Sequence, residues 1–479
     1  MELNTQNEID DVRLLADAVE CSNEMITLFR SARQFVFYSS YVCNLSAPLP
    51  VTVNNLVDPI TGQRSLLASS PLTLLQLFHE LDQRGVQLFI LYNPETAYNK
   101  QPLADFVALL PASAEVRSVV GSGQLPKITE HLVQNRRYSN HRQNYLCVDG
   151  VRLMVGGTGV DTTITGWLQF NGLRPIDYSL HTTSVSVPCT PEILHFVKSN
   201  FDHVQATAPF PLVCGGDQEH RLLCHMIQSA RSCIHMESQF CTSSGSTSNQ
   251  VLHCIANRVH AAYLISTNSI STTRDRFHFF LLSNVLRPGE SDILSRTNTQ
   301  QLYWSLRYLF TRMSMLGVSP DFVAQRVFVG YMAEPDGPFL TPYGPINGGR
   351  HIQVNSNIVL QDGHTLLRSS SNMTDRSLSA LPCNTELGIL IRSNHIANFQ
   401  QKLWRRYFMI PDNNTEIVFT PEDAMANMVN EQGVVRRVVT AYNNKSTTID
   451  KVSDVAMSLL HQLPVYGNKR KIHWTLTHL

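Results

Sequence analysis

Residues 362–386 read D-G-H-T-L-L-R-S-S-S-N-M-T-D-R-S-L-S-A-L-P-C-N-T-E and gather hydroxyls and amides of the kinds that hold an anion, beside acids that can orient them. Its landmarks are Asp362, Ser370, Asn372 and Glu386. Asn355 and Asn357 stand seven and five residues before Asp362. Arg142 and Asn144 stand at the same distances before Asp149, in R-Y-S-N-H-R-Q-N-Y-L-C-V-D-G. Residues two apart share one face of a strand, so each pair can act together. A guanidinium offers a planar fork of donors, and the amides and the Ser370 hydroxyl add more, so these groups could cradle a phosphate. They are poorly suited to moving protons. An arginine stays protonated and an asparagine amide has no titratable proton near neutral pH. Two imidazoles lie nearby: His141, which a one-residue bulge could bring inward, and His351, four residues before Asn355. For Asp149 and Asp362 the plain alternative is a strand-end turn residue ahead of Gly150 and Gly363.

The same segments resemble the phospholipase D superfamily, whose H-x-K-x-x-x-x-D motif is followed by G-S-x-N and by a D-R-S…(D/N)-x-E run. Asp362, Ser370, Asn372, D-R-S at 375–377 and Glu386 match, with Ser369 at the leading glycine. In the first half, R-G-V-Q-L-F-I-L at 84–91, Asp149-Gly150 and Gly156-Gly157 match, whereas Gly159 stands at the Asn/Asp position. I-H-M-E-S-Q-F at 234–240 is similar to the family's Y-I-E-N-Q-F strand, and Trp167 and Asp177 resemble its W…D pair. The resemblance covers roughly residues 13–408. It puts Arg142 and Asn355 in the histidine positions and Asn144 and Asn357 in the lysine positions. The family's chemistry needs two imidazoles, one to attack phosphorus and one to protonate the leaving oxygen. Losing both removes general acid–base help worth on the order of 10²–10⁴ in rate.

The resemblance implies a catalytically degenerate member: two α/β half-domains with mixed sheets flanked by helices, packed as a pseudo-dimer around a remnant phosphate pocket. The pocket would use Arg142, Asn144, Asp149, Asn355, Asn357, Asp362, Ser370 and Asn372. Its ligand would be a phospholipid headgroup or another phosphodiester, with no cofactor and no metal. The rivals are an active phosphatidyltransferase or phosphodiesterase using His141 and His351, a nucleic-acid-binding member, and a purely structural interaction protein.

The elements that must position these residues recur twice. Apolar spacing predicts helices over 13–30 and 71–84, the second closed by Gly85, with strands over 34–41 and 86–92. The order returns as helices over 217–232 and 247–260 and strands over 233–240 and 262–267, which reads as an internal duplication. Residues 269–300 read as a polar loop. The expected domains are 1–205, 206–411 and a helical extension 412–479. The extension carries one helix after Thr420, from the T-P-E-D cap signal, and a second over 449–462. A basic K-R-K lies in its tail, a packed tail or a membrane-surface patch.

With 479 residues, 43% of them apolar, the chain can bury more than one core. Lysine plus arginine balance aspartate plus glutamate at 38 each, which argues against nucleic acid as the partner. The ten cysteines form no C-x-x-C pair and no zinc spacing, and Cys224-His225 and Cys233-Ile-His235 do not make a ligand set, so reduced thiols of a cytoplasmic protein are expected. The polar, acidic N-terminus does not read as a secretory signal, and no apolar run is long enough to span a bilayer. Contact with intracellular membranes would be peripheral.

Overall fold

The computed structural model describes residues 9, 11–41, 43–46, 49, 72–92, 103–118, 142–157, 180–202, 206–241, 249–268, 275–284, 293–333, 338–341, 344–347, 351–378, 385–410 and 414–438. The chain divides into two compact units. One comprises Met1–Cys214 with Arg368–Ser370 and Asn384–Ile391; the other comprises Gly215–Leu367, Ser371–Cys383 and Arg392–Leu479.

The first unit is built on a seven-stranded mixed sheet: β1 (Arg13–Leu15), β2 (Phe35–Ser40), β3 (Gln87–Tyr92), β4 (Glu115–Ser118), β5 (Tyr145–Val148), β6 (Arg152–Val155) and β8 (Ser184–Pro188), in the order β1-β8-β6-β5-β2-β3-β4. The short β7 (Leu180–His181) precedes β8, and β9 (Leu212–Cys214) follows the helix Pro191–Phe201. β2, β3 and β4 run parallel, and β5 is antiparallel to β2. The central strands are buried along almost their whole length, so they read as unbroken apolar runs. Phe29 of the helix Ala18–Ser31 meets Tyr38 and Phe78 edge-on or tilted at 6.1 and 5.7 Å. All three are essentially inaccessible to solvent, and burying each such ring contributes roughly 1.5–3 kcal/mol.

The second unit repeats the plan. β10 (Cys233–Ser238), β11 (His278–Ser283) and β12 (Val327–Ala333) run parallel, and β16 (Ile358–Gln361) lies antiparallel to β10. β13 (Pro338–Thr341) and β14 (Gly344–Asn347) form a separate hairpin. The sheet order runs β15 (His351–Val354), β12, β11, β10, β16, β17 (Thr365–Ser369). β18 (Leu387–Arg392) pairs antiparallel with β9, Leu387 opposite Cys214, within the first unit. β19 (Val435–Arg437) adds to β12. In both units the strand that precedes the Asp-Gly turn pairs with the strand that opens the parallel set: Val36 opposite Val148, Ile234 opposite Gln361.

Three expected elements differ. Residues 13–15 form β1 and the first helix starts at Ala18, because Asp17 caps it by accepting from the Glu20 amide at 2.7 Å. Residues 262–267 continue the helix Val251–Thr267. Ile255, Val259 and Ala262 are buried at helical spacing, and Leu264 and Ile265 face outward. The matching strand is β11, inside the stretch read as a polar loop, which also contains the start of the helix Ile293–Met315. Gly85 does close its helix, at φ +72°, and Thr420 and Asp423 form a capping box on the helix Pro421–Val429. That helix and β19 pack on the second unit. The helix expected over 449–462 and the K-R-K cluster lie outside the described residues.

Candidate functional site

Each Asp-Gly turn is built the same way. Asp149 sits at φ +53° and accepts from the amides of Arg33, Gln34 and Phe35 at 2.7, 2.9 and 2.8 Å. Asp362 sits at φ +54° and accepts from the amides of Arg231, Ser232 and Cys233 at 2.8, 2.7 and 2.9 Å, and from the Ser232 hydroxyl at 2.9 Å. Asp and Asn tolerate this left-handed backbone better than most residues. The two carboxylates thus hold the starts of β2 and β10.

The polar pairs stand at the other end of those strands. Asn144 Oδ1 accepts from the Tyr41 amide at 2.8 Å, just past β2. Asn357 Oδ1 accepts from the Gln239 amide at 3.0 Å, just past β10. A strand of this length spans roughly 20 Å. Asp149 and Asp362 are therefore not gathered with Asn144 and Asn357, although the sequence reading grouped them; their carboxylates are drawn to the amides at the strand starts. Burial alternates as the spacing requires. Gln143 and Ser356 are buried, and Arg142, Asn144, Asn355 and Asn357 are half-buried beside them. Gln143 turns inward, where its Oε1 accepts from Asn200 at 2.6 Å.

Arg142 is the charged member of the first half-site. Its guanidinium lies over the Tyr41 ring, 4.7 Å from the centroid. Its amide donates to the Thr385 carbonyl at 2.9 Å, which joins the first motif to the 384–391 segment of the same unit. Its Nε is buried and finds no hydrogen-bond partner. A guanidinium held over a ring face keeps both its charge and its hydrogen-bond donors. Beside Thr385, Glu386 is buried and accepts from the Ser370 hydroxyl at 2.7 Å, and Ser370 Oγ in turn accepts from the Leu387 amide at 3.0 Å.

In the second unit Asn372 Oδ1 accepts from the Phe240 amide at 3.3 Å, next to the Gln239 amide that Asn357 holds. Asn357 and Asn372 thus meet at the end of β10. The Ser371 hydroxyl donates to buried Glu219 at 2.5 Å. Glu237 faces away into the core, where the Tyr407 hydroxyl donates to it and His235 Nε2 lies 3.6 Å away. Burial, and then the Glu237 charge, push the Tyr407 hydroxyl well above its usual range. His141, Trp167, Gly159 and Asp177 lie outside the described residues. His351 is placed in β15 through its backbone, opposite Ala333.

The sequence reading missed Tyr41 and Glu219. Glu219 did leave a signal: it falls on the buried side of its helix with Leu223, Met226 and Ile227. Tyr41 left none, because its meeting with Arg142 depends on pairing between β2 and β5.

No protein-family model matches the chain, and no curated protein matches it significantly. Among solved structures it is similar to phosphatidylserine synthase of Haemophilus influenzae Rd KW20, at 8% identity and a TM-score of 0.57, over 99% of this chain and 96% of that one. Yeast tyrosyl-DNA phosphodiesterase matches more loosely, at 9% identity and a TM-score of 0.38, over 80% of this chain and 90% of that one, too loosely to bear on the site. The fold is phospholipase D-like, an α/β arrangement of mixed sheets flanked by helices.

Proposed function

We propose that the chain binds the phosphate of a phosphodiester, most simply a phospholipid headgroup, and releases it unchanged. The observation that carries this reading is Arg142, a cation fixed on the Tyr41 ring with a buried Nε that no protein group satisfies. An unpartnered buried donor is costly, about 1–3 kcal/mol, and an anion is the partner that relieves the cost. The absence of turnover follows from residue types: Arg142 and Asn355 occupy the positions where imidazoles would have to attack and protonate, and neither can exchange a proton near neutral pH. Asn144, Asn357 and Asn372 act as positioning residues whose carbonyls hold the ends of β2 and β10. Asp149 and Asp362 set the strands from the far end.

Calorimetric titration of the full chain with glycerophosphocholine and with inorganic phosphate tests the reading. Arg142→Ala should abolish measurable binding, and Arg142→Lys, which keeps the charge but loses the fork, should recover only part of it. Equal affinity in all three proteins would remove Arg142 from the site. Salt-sensitive binding of single-stranded DNA in place of the phosphodiester would favour the nucleic-acid reading.

A further inference from the structure

Within the first unit the sulfurs of Cys147 and Cys189 lie 3.7 Å apart. Cys147 is in β5 and is fully buried. Tyr145, two residues earlier on that strand, accepts from Asn200 of the helix Pro191–Phe201 at 3.0 Å, so Cys147 faces that helix too. Cys189 is half-buried and stands between the end of β8 and Thr190, the residue that caps the helix. Its amide donates to the Val151 carbonyl at 2.8 Å, and its thiol reaches the Thr190 carbonyl at 3.7 Å. That leaves the Cys189 sulfur to accept from the Cys147 thiol. Accepting this bond pulls Cys189 below the ordinary thiol range, while the same bond and then burial push Cys147 up. Burial alone keeps Cys21, Cys43, Cys233 and Cys241 protonated, at about 11 to 12. In the second unit the Cys224 sulfur lies 3.5 Å from His220 Nε2, and Cys254 accepts from Gln228 at 3.6 Å.

We propose that Cys147 and Cys189 are a peroxide-sensitive dithiol that closes to a disulfide and locks β5 to the start of the helix Pro191–Phe201. Cys189 reaches solvent and Cys147 does not, which fixes the order of events. The Cys189 thiolate attacks one oxygen of hydrogen peroxide. The O–O bond breaks, the sulfur becomes a sulfenic acid, and the departing hydroxide takes up a proton to leave as water. The Cys147 sulfur then attacks the sulfenic sulfur. The S–O bond breaks, and its hydroxide leaves as a second water with the Cys147 proton. The two thiols together lose two electrons, and the peroxide gains them. A disulfide is about 2.05 Å long, so the sulfurs must approach by about 1.7 Å. Cys189 belongs to neither β8 nor the helix, and rotation of its side chain supplies that movement. Neither thiol takes part in the phosphate contacts proposed for Arg142, so the two readings fail independently.

Peptide mapping of the full chain tests it. The reduced protein is treated with hydrogen peroxide, remaining thiols are capped with N-ethylmaleimide, and the chain is digested without reductant for mass spectrometry. The expected product joins the peptides of Cys147 and Cys189, lacks two hydrogens relative to the reduced pair, and separates again in dithiothreitol. The cross-linked chain should melt higher than the reduced one, because the bond restrains the unfolded chain. In Cys189→Ser, a near-isosteric change at a half-exposed position, Cys147 should stay a thiol through the same treatment. In Cys147→Ala no thiol resolves the sulfenic acid, so Cys189 should become labelled by dimedone, which the wild type should not. Both wild-type thiols still capped by maleimide after excess peroxide would overturn the proposal. So would wild-type Cys189 that stops at sulfenic or sulfinic acid, a disulfide from Cys189 to another cysteine such as Cys214 or Cys383, or a cross-linked chain that melts no higher than the reduced one.

Discussion

Replacing Asp149 probes the clamp that both halves of the chain share. Its carboxylate accepts three amide hydrogen bonds, from Arg33, Gln34 and Phe35. Hydrogen bonds to a charged acceptor contribute about 1.5–3 kcal/mol each when buried. The Arg33 and Gln34 amides are solvent-exposed, so water replaces the acceptor there, and only the partly buried Phe35 bond keeps most of that value. Asp149→Ala should therefore lose about 2 kcal/mol from hydrogen bonding. Forcing alanine to φ +53° adds about 1–2 kcal/mol. The total is about 3–4 kcal/mol. Asp149→Asn tolerates the backbone and keeps an oxygen for Gln34 and Phe35, losing only the Arg33 bond and the charge, so about 1 kcal/mol is expected. Urea unfolding followed by circular dichroism reads the series. Because Asp362 holds the same set of amides in the second unit, Asp362→Ala and Asp362→Asn should fall in the same order. If Ala and Asn cost the same, or if either costs less than about 0.5 kcal/mol, these carboxylates do not organise the strand starts.

His278 should make the second unit acid-sensitive. Burial first, and then the Arg326 guanidinium at 3.0 Å, pull its pKa down from 6.5 to about 4. The unfolded chain therefore takes up this proton first. Stability is whole above pH 6.5 and falls as the pH drops toward 4, by about 3 kcal/mol in all, and His278→Gln should flatten that part of a melting-temperature profile. Gly156→Ala should destabilise strongly, because the new Cβ would lie 2.6 Å from the buried Arg368 guanidinium and the backbone is at φ +89°; a thermal melt within a degree or two of wild type would contradict it. Tyr407→Phe should cost about 1–3 kcal/mol in urea, since it strips the buried Glu237 carboxylate of its hydroxyl donor while keeping the ring.

Much of this framework is legible in the chain. Gly85 and the Thr420–Asp423 box marked helix ends because a left-handed turn and a side-chain cap need those residue types. The Asp-Gly turns were legible because the same dipeptide closes the same spacing twice. β11 was not, because F-H-F-F-L-L is buried on both faces and follows a polar segment, so no alternation sets it apart. The C-terminal part of the helix Val251–Thr267 was mistaken for a strand because its exposed Leu264 and Ile265 break the expected polar side. The candidate site was legible as residue types but not as groupings. Alternation put Arg142 with Asn144 and Asn355 with Asn357. The far-end placement of Asp149 and Asp362, the Tyr41 ring beneath Arg142 and the tie from Arg142 to Thr385 arise from pairing between segments remote in sequence.

Phosphorus NMR of the full chain mixed with a short-chain phosphatidylcholine and a primary alcohol reads binding and turnover in one sample. The expected spectrum shows the substrate resonance shifted and broadened, no new resonance with time, and no shift at all in Arg142→Ala. A growing resonance of the transferred phosphatidyl product, lost in His141→Ala, would contradict an unreactive phosphate cradle built around Arg142.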